Sequence, residues 1–261
     1  MAACGDADNN TTMLETIYIL WLRQLKRYVR SRSRVAGALA QPILFLVALG
    51  FGFGPIYQKA GGGNYINFIA PGIVSMGIMF TAVFTGIEII WDRQFGFLKE
   101  TLVAPVSRLT IMIGRTLGGA TVATVQGAIV LAVTTLAGFR PESFVALPLA
   151  LVFMAMIALL FTALGTAIAS VLEDMQAFPL IINFVMMPLF FLSGALFPLN
   201  GLPEALTIAA RLNPLSYGVD GLRGTLIGAS LFGLGTDFVV LGVATALLLF
   251  IGARLFSRIQ I

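Results

Sequence analysis

The sequence predicts an all-α polytopic membrane protein with six transmembrane helices, and three observations predict it. Hydrophobic residues make up 58% of the 261 positions and charged residues only 11%, where a soluble domain carries about a quarter. Mean hydropathy is +0.96. Apolar runs of the length needed to cross hydrocarbon, about 20 residues for about 30 Å, recur along the chain and are separated by short polar turns. The charged stretch Trp91 to Arg108 interrupts them with Asp92, Arg93, Lys99, Glu100 and Arg108, so it must lie in water or against another protein.

Residues 1–12 are short, polar and acidic and are expected to be disordered, ahead of a single membrane domain over 13–261. From Met13 to Arg34, Leu14, Ile17, Leu20, Trp21 and Leu25 recur at helical spacing and cations gather toward the end. This reads as an N-terminal amphipathic interfacial helix, with Trp21 at the headgroup level and Arg23, Lys26, Arg27 and Arg30 facing anionic lipid. An apolar run follows at once, which favours a membrane surface over nucleic acid as the partner of these cations.

Spans are expected near 35–54, 66–90, 110–137, 145–171, 177–198 and 235–255. With this topology twelve of the sixteen Lys and Arg residues fall on one side, against Lys59, Arg140, Arg211 and Arg223 on the other. The positive-inside rule makes the first side, with both termini, cytoplasmic. Between the fifth and sixth spans, Pro203 and Asn213-Pro214 punctuate two short apolar helices, expected to be external and re-entrant. There, Asp220 and Arg223 stand i, i+3 on one face and are expected to pair, with Tyr217 as an interfacial anchor.

Catalytic chemistry finds no support. The chain has no His and one cysteine, Cys4, so a Cys/His metal site cannot be built, and no phosphate-cradling G-x-x-x-x-G-K-[ST] is present. The chain is expected not to be an enzyme, and any uphill movement of cargo must draw on a partner or an ion gradient. Glu88 and Arg115 are the charges nearest the span interiors; they are expected to snorkel or to pair with each other at the cytoplasmic edge, with a gating role as the alternative. The apolar runs hold almost no mid-membrane acids of the kind that bind coupling ions, which favours a partner over a gradient. Gly114-x-x-x-Gly118 and the group Gly50, Gly52, Gly54 permit close helix approach.

In the charged stretch, Phe95, Leu98 and Leu102 form an apolar stripe at i, i+3 and i+7, as in a short helix docked into a groove. The run GFLKETLVAPVSR at 96–108 resembles the cytoplasmic motif of type-2 ABC transporter (ABC-2 type exporter) permeases, and LNPLSYGVDGLRG at 212–224 resembles their C-terminal signature. The order of elements is similar as well, over nearly the whole chain. The resemblance is greatest to bacterial drug, antibiotic and lipo-oligosaccharide exporter permeases.

That resemblance implies a permease subunit that moves an amphipathic or hydrophobic cargo outward across the bacterial plasma membrane. Two permeases, identical or related, would sit on two ABC ATPase subunits, which bind the ATP and Mg; this chain holds no cofactor. Phe95, Gly96, Phe97, Leu98, Lys99, Glu100 and Leu102 would form the coupling helix that contacts the ATPase, and Trp21, Arg23, Lys26, Arg27 and Arg30 would belong to the elbow helix. Asn213, Pro214, Tyr217, Asp220 and Arg223 would belong to the external re-entrant segment. Phe184, Met186, Met187, Phe190 and Phe191 are candidates to line the cargo path, since Met and aromatic side chains repack around varied ligands. The rival class is an ion-gradient-driven carrier or channel without an ATPase.

Overall fold

The structure, a computed structural model, describes residues 3–59, 64–96, 107–199, 201 and 203–257. Among the described residues the chain is helical and has no strands. Ten α-helices follow one another among the described residues: α1 (Ala3–Arg30), α2 (Arg32–Lys59), α3 (Tyr65–Phe84), α4 (Ile87–Gln94), α5 (Arg108–Leu136), α6 (Leu147–Val171), α7 (Ala177–Phe191), α8 (Glu204–Leu212), α9 (Pro214–Ile227) and α10 (Leu234–Ser257).

Among the described residues, five helices are long and apolar enough to cross a membrane: α2, α3 continued by α4, α5, α6 with the short turn before it, and α10. Their bounds fall close to the expected ones, because transfer into hydrocarbon acts on each residue locally. The expected fifth span is different. Its helix, α7, has only 15 residues, about 22 Å at 1.5 Å per residue, and the expected stretch 192–198 is a run of turns and bends. The Ser193 hydroxyl donates to the Phe190 carbonyl, and Gly194 follows with φ of 74°, a left-handed conformation that ends a helix.

The other departures lie near the N-terminus. α1 opens at Ala3, inside the stretch expected to be disordered. The break comes at Ser31, so Arg32 and Arg34 belong to the first turn of α2.

The core is built around α3. Over its candidate span 78% of residues are buried, against 17% for α2 and for α10, so α3 is the central post and those two present apolar flanks outward. α2, α5, α6 and α9 pack around α3, and α10 lies along α6 and α9. Absent side chains set several helix crossings, and two of them seat α1 and the α3–α4 bend. A Cβ on Gly118 would stand 2.7 Å from Gln24 Cβ, and one on Gly114 would stand 3.0 Å from Leu20 Cβ, so α1 lies directly on α5. The sequence placed α1 on the lipid headgroups; the structure gives one of its faces to protein. The second crossing joins the α3–α4 bend to α6, where a Cβ on Gly86 would stand 2.4 Å from the Gly165 carbonyl oxygen. Of the group at 50, 52 and 54, only Gly50 meets a neighbour, Ile66.

At the end of the bundle opposite α4, the chain between α7 and α10 forms two short helices, close to where the proline punctuation puts them. Asn213 caps α9 by accepting from Leu215 N at 3.0 Å, with Pro214 as its first residue. Leu215, Val219, Leu222 and Leu226 then form a fully buried stripe against the bundle.

Candidate functional site

α4 is eight residues long, yet it carries the densest set of charges in the bundle. Glu88 and Asp92 stand one turn apart on one face, and both are buried. Glu88 Oε1 lies 2.6 Å from Arg34 Nη1 and its Oε2 lies 3.4 Å from Arg27 Nη1. Asp92 Oδ2 lies 2.5 Å from Arg115 Nη2 and its Oδ1 lies 3.7 Å from Arg23 Nη2. Two carboxylates therefore gather four guanidinium groups from α1, α2 and α5. Glu88 and Arg115 do not pair with each other, contrary to the sequence expectation; each is satisfied by a different helix.

The opposite face of α4 is held by α6. Arg93 donates to the carbonyls of Ser170 at 3.3 Å and Leu172 at 3.4 Å, at the C-terminal end of α6, where free carbonyls and the helix dipole favour a cation. Gln94 Nε2 donates to the Glu173 carbonyl at 3.1 Å. Trp91 lies under the Arg27 guanidinium, 6.0 Å from ring centroid to Cζ. Thus α4 is clamped from two sides, and it leads straight into the charged stretch. Phe95, its C-terminal cap, is 66% exposed, and Gly96 follows with φ of 80°. Phe97, Leu98, Lys99, Glu100 and Leu102 lie outside the described residues.

The five α1 residues divide by role. Trp21 Nε1 donates to Thr121 Oγ1 of α5 at 3.0 Å, and Arg23 and Arg27 join the α4 cluster. Lys26 and Arg30 make no ion pair among the described residues. With Arg23, Arg27 and Arg32 they line an open groove of about 1150 Å³, closed on its other side by Trp91, Asp92 and Phe95. The spacing held a signal for this ladder: acids at 88 and 92, arginines at 23 and 27, both one helical turn apart. Reading Asp92 only as a charge kept out of hydrocarbon missed it.

The external pair is rearranged. Asp220 is buried and accepts from Ser230 Oγ at 2.9 Å and from Leu231 N and Phe232 N, each at 2.8 Å, so its carboxylate fastens the loop before α10. Arg223 instead donates to the Gly194 carbonyl at 2.8 Å and stacks over Phe68 at 4.4 Å, tying α9 to the turn after α7 and to α3. The loop amides satisfy Asp220 at close range, so no ion pair with Arg223 forms. Tyr217 donates to the Arg211 carbonyl at 2.9 Å and packs on Phe232 rather than projecting as an anchor, and Asn213 Nδ2 donates to the Leu189 carbonyl at 2.6 Å. Replacing Arg223 with alanine is expected to lower the thermal unfolding midpoint of the purified chain in detergent, because the charge-assisted bond of about 1.5–3 kcal/mol that ties α9 to the turn after α7 is lost. A midpoint equal to wild type would show that this tie does not hold α9.

The proposed path residues do not share a face. Met186 and Phe190 are buried with Phe178 and Ile182 in the α7 stripe that enters the core, and Phe190 meets Phe45 of α2 edge to face. Met187 is partly buried against the core, whereas Phe184 and Phe191 point outward, Phe184 with 81% exposure.

A bundle of long apolar helices with a charge cluster clamping a short helix at one end defines a multi-pass membrane protein. The chain belongs to the ABC-2 type transporter family, which matches residues 15–227. It is 31% identical to Nodulation protein J of Rhizobium leguminosarum bv. trifolii over 81% of this chain and 78% of that protein. It is 28% identical to the putative transport permease ycf38 of Cyanophora paradoxa over 94% of this chain and 89% of that one. Nodulation protein J of Rhizobium meliloti is 27% identical over 91% and 93%.

Proposed function

We propose that this chain is the membrane permease subunit of an ATP-driven exporter in a bacterial plasma membrane, working as one of two permeases above two separate ATPase subunits. The observation that carries this reading is the clamped α4. It lies at one end of the bundle, its exposed Phe95 leads into the charged stretch that we read as the coupling segment, and the basic groove beside it offers cations to an acidic partner surface.

ATP and Mg are bound by the partner. Closure of the ATPase pair pushes the segment after Phe95, and α4 passes that displacement to α1, α2 and α5 through Glu88 and Asp92 and to α6 through Arg93, so that the spans move together. Both termini and the α4 end face the cytoplasm, and α7 with the turn after it forms the sixth crossing. The cargo is an amphipathic or hydrophobic molecule, such as a drug, an antibiotic, a lipid or a lipid-linked saccharide. Membership of this family supports ATP over an ion gradient as the energy source.

The test is stimulation of the partner. Phe95→Asp and Glu100→Arg are each expected to lower cargo-stimulated ATP hydrolysis by the reconstituted complex by about tenfold, because an apolar anchor or a charge pair lost from the centre of an interface costs about 2 kcal/mol or more. The permease should still insert in the membrane. Wild-type stimulation in both variants would remove the coupling role.

A further inference from the structure

A cavity of about 360 Å³ opens between α1, α2, α3 and the start of α4, at the same end of the bundle as the charge cluster. Its apolar wall is made by Met76, Phe80, Phe84 and Val122. The polar side chains on the opposite wall divide into satisfied and free. Tyr28 donates to the buried Gln126 amide oxygen, Thr85 donates to the Ala82 carbonyl, and Arg34 and Glu88 hold each other at 2.6 Å. Gln24 and Gln41 also face the cavity and are half-buried, and neither has a hydrogen-bond partner among the described residues.

We propose that this cavity is a binding site for a compact, uncharged amphiphile, one with an aromatic or short aliphatic body and a single hydroxyl or amide head. The volume lies within the range of small-molecule sites, about 300–1,000 Å³. Each primary amide offers both donors and an acceptor, which suits a neutral polar head. An ionised head finds no free counter-charge, because the one cation and the one anion on the wall neutralise each other, and burying a charge without a partner is costly. The bound molecule would rest against the Arg34–Glu88 pair and so against the clamp on α4. This goes beyond the transport reading, since it requires neither ATP nor a partner chain.

Photolabelling of the full chain in lipid nanodiscs tests it. The probe is trifluoromethyl-diazirinyl benzyl alcohol, with the matching benzoate as its ionised counterpart, and adducts are mapped by mass spectrometry. Saturable labelling is expected on the peptides around residues 34–42 and 76–88, with the benzoate about tenfold weaker there. Gly37 lines the cavity, and a Cβ built on it meets nothing within 4 Å, so Gly37→Phe adds bulk at the cavity wall with no backbone clash at its Cβ. Gln41→Leu removes one free amide at nearly constant size.

Each variant is expected to lower cavity labelling by about tenfold, the loss of about one good ligand contact or of the space itself, and to leave adducts on the outward face of α10 unchanged. Equal labelling by the benzoate, adducts spread evenly over the lipid-facing helices, or unchanged labelling in either variant would overturn the proposal.

Discussion

Asp92→Ala is expected to be among the most destabilising single changes in the chain, at about 3–5 kcal/mol, because it leaves the Arg115 guanidinium buried without its carboxylate. Arg115 is only 10% exposed in its side chain, so water cannot replace the lost partner. The second cation on Asp92 behaves differently. Arg23 is 46% exposed and 3.7 Å away, and Arg23→Ala is expected to cost less than about 1 kcal/mol. Removing both members of the buried pair, as in Asp92→Leu with Arg115→Leu, should restore most of the stability, since no charge is then stranded. Thermal unfolding of the purified chain in detergent separates these cases. A midpoint for Asp92→Ala equal to that of Arg23→Ala would show that the buried pair does not hold α4.

Gly165→Ala is expected to destabilise the fold even though alanine favours a helix over glycine by about 1 kcal/mol. A Cβ at Gly165 would stand 2.4 Å from the Val83 carbonyl oxygen and 2.9 Å from Val83 Cα. These are backbone atoms, and Gly86 presses from the same bend onto the Gly165 carbonyl, so neither side can give without moving a helix. Overpacking of this kind costs about 1–3 kcal/mol or more, which outweighs the propensity gain. Gly165→Val should be worse, and its effect should reach α4, since the Thr85–Gly86 bend aims that helix. The readout is the unfolding midpoint together with ATPase stimulation in the complex. A midpoint for Gly165→Ala at or above wild type would mean that the crossing tolerates a wider separation.

The sequence by itself determined the helices and most of their bounds. A run of apolar residues, a proline, or an Asn-Pro step acts on the chain within a few positions of itself, so Asn213-Pro214 could be read as the break between α8 and α9 and the long runs as spans. The same local reasoning keeps the charged stretch from Trp91 to Arg108 out of hydrocarbon, since five charges between two apolar runs cannot be threaded through it.

Only the tertiary structure decided which groups meet. Arg34 and Glu88 are 54 positions apart, and Arg93 and the Ser170 carbonyl 77 apart; their pairing depends on how α4 is seated among α1, α2, α5 and α6, which no local pattern encodes. The same holds for Asp220, whose neighbour in sequence was Arg223 but whose partners are the amides of a loop folded back upon it. It holds for α7, where the division of Met186 and Phe190 from Phe184 and Phe191 follows from which stripe α2 and the core cover. Transfer out of water is a sum over single residues, whereas ion pairing and close packing depend on distances between helices, and those exist only once the bundle has formed.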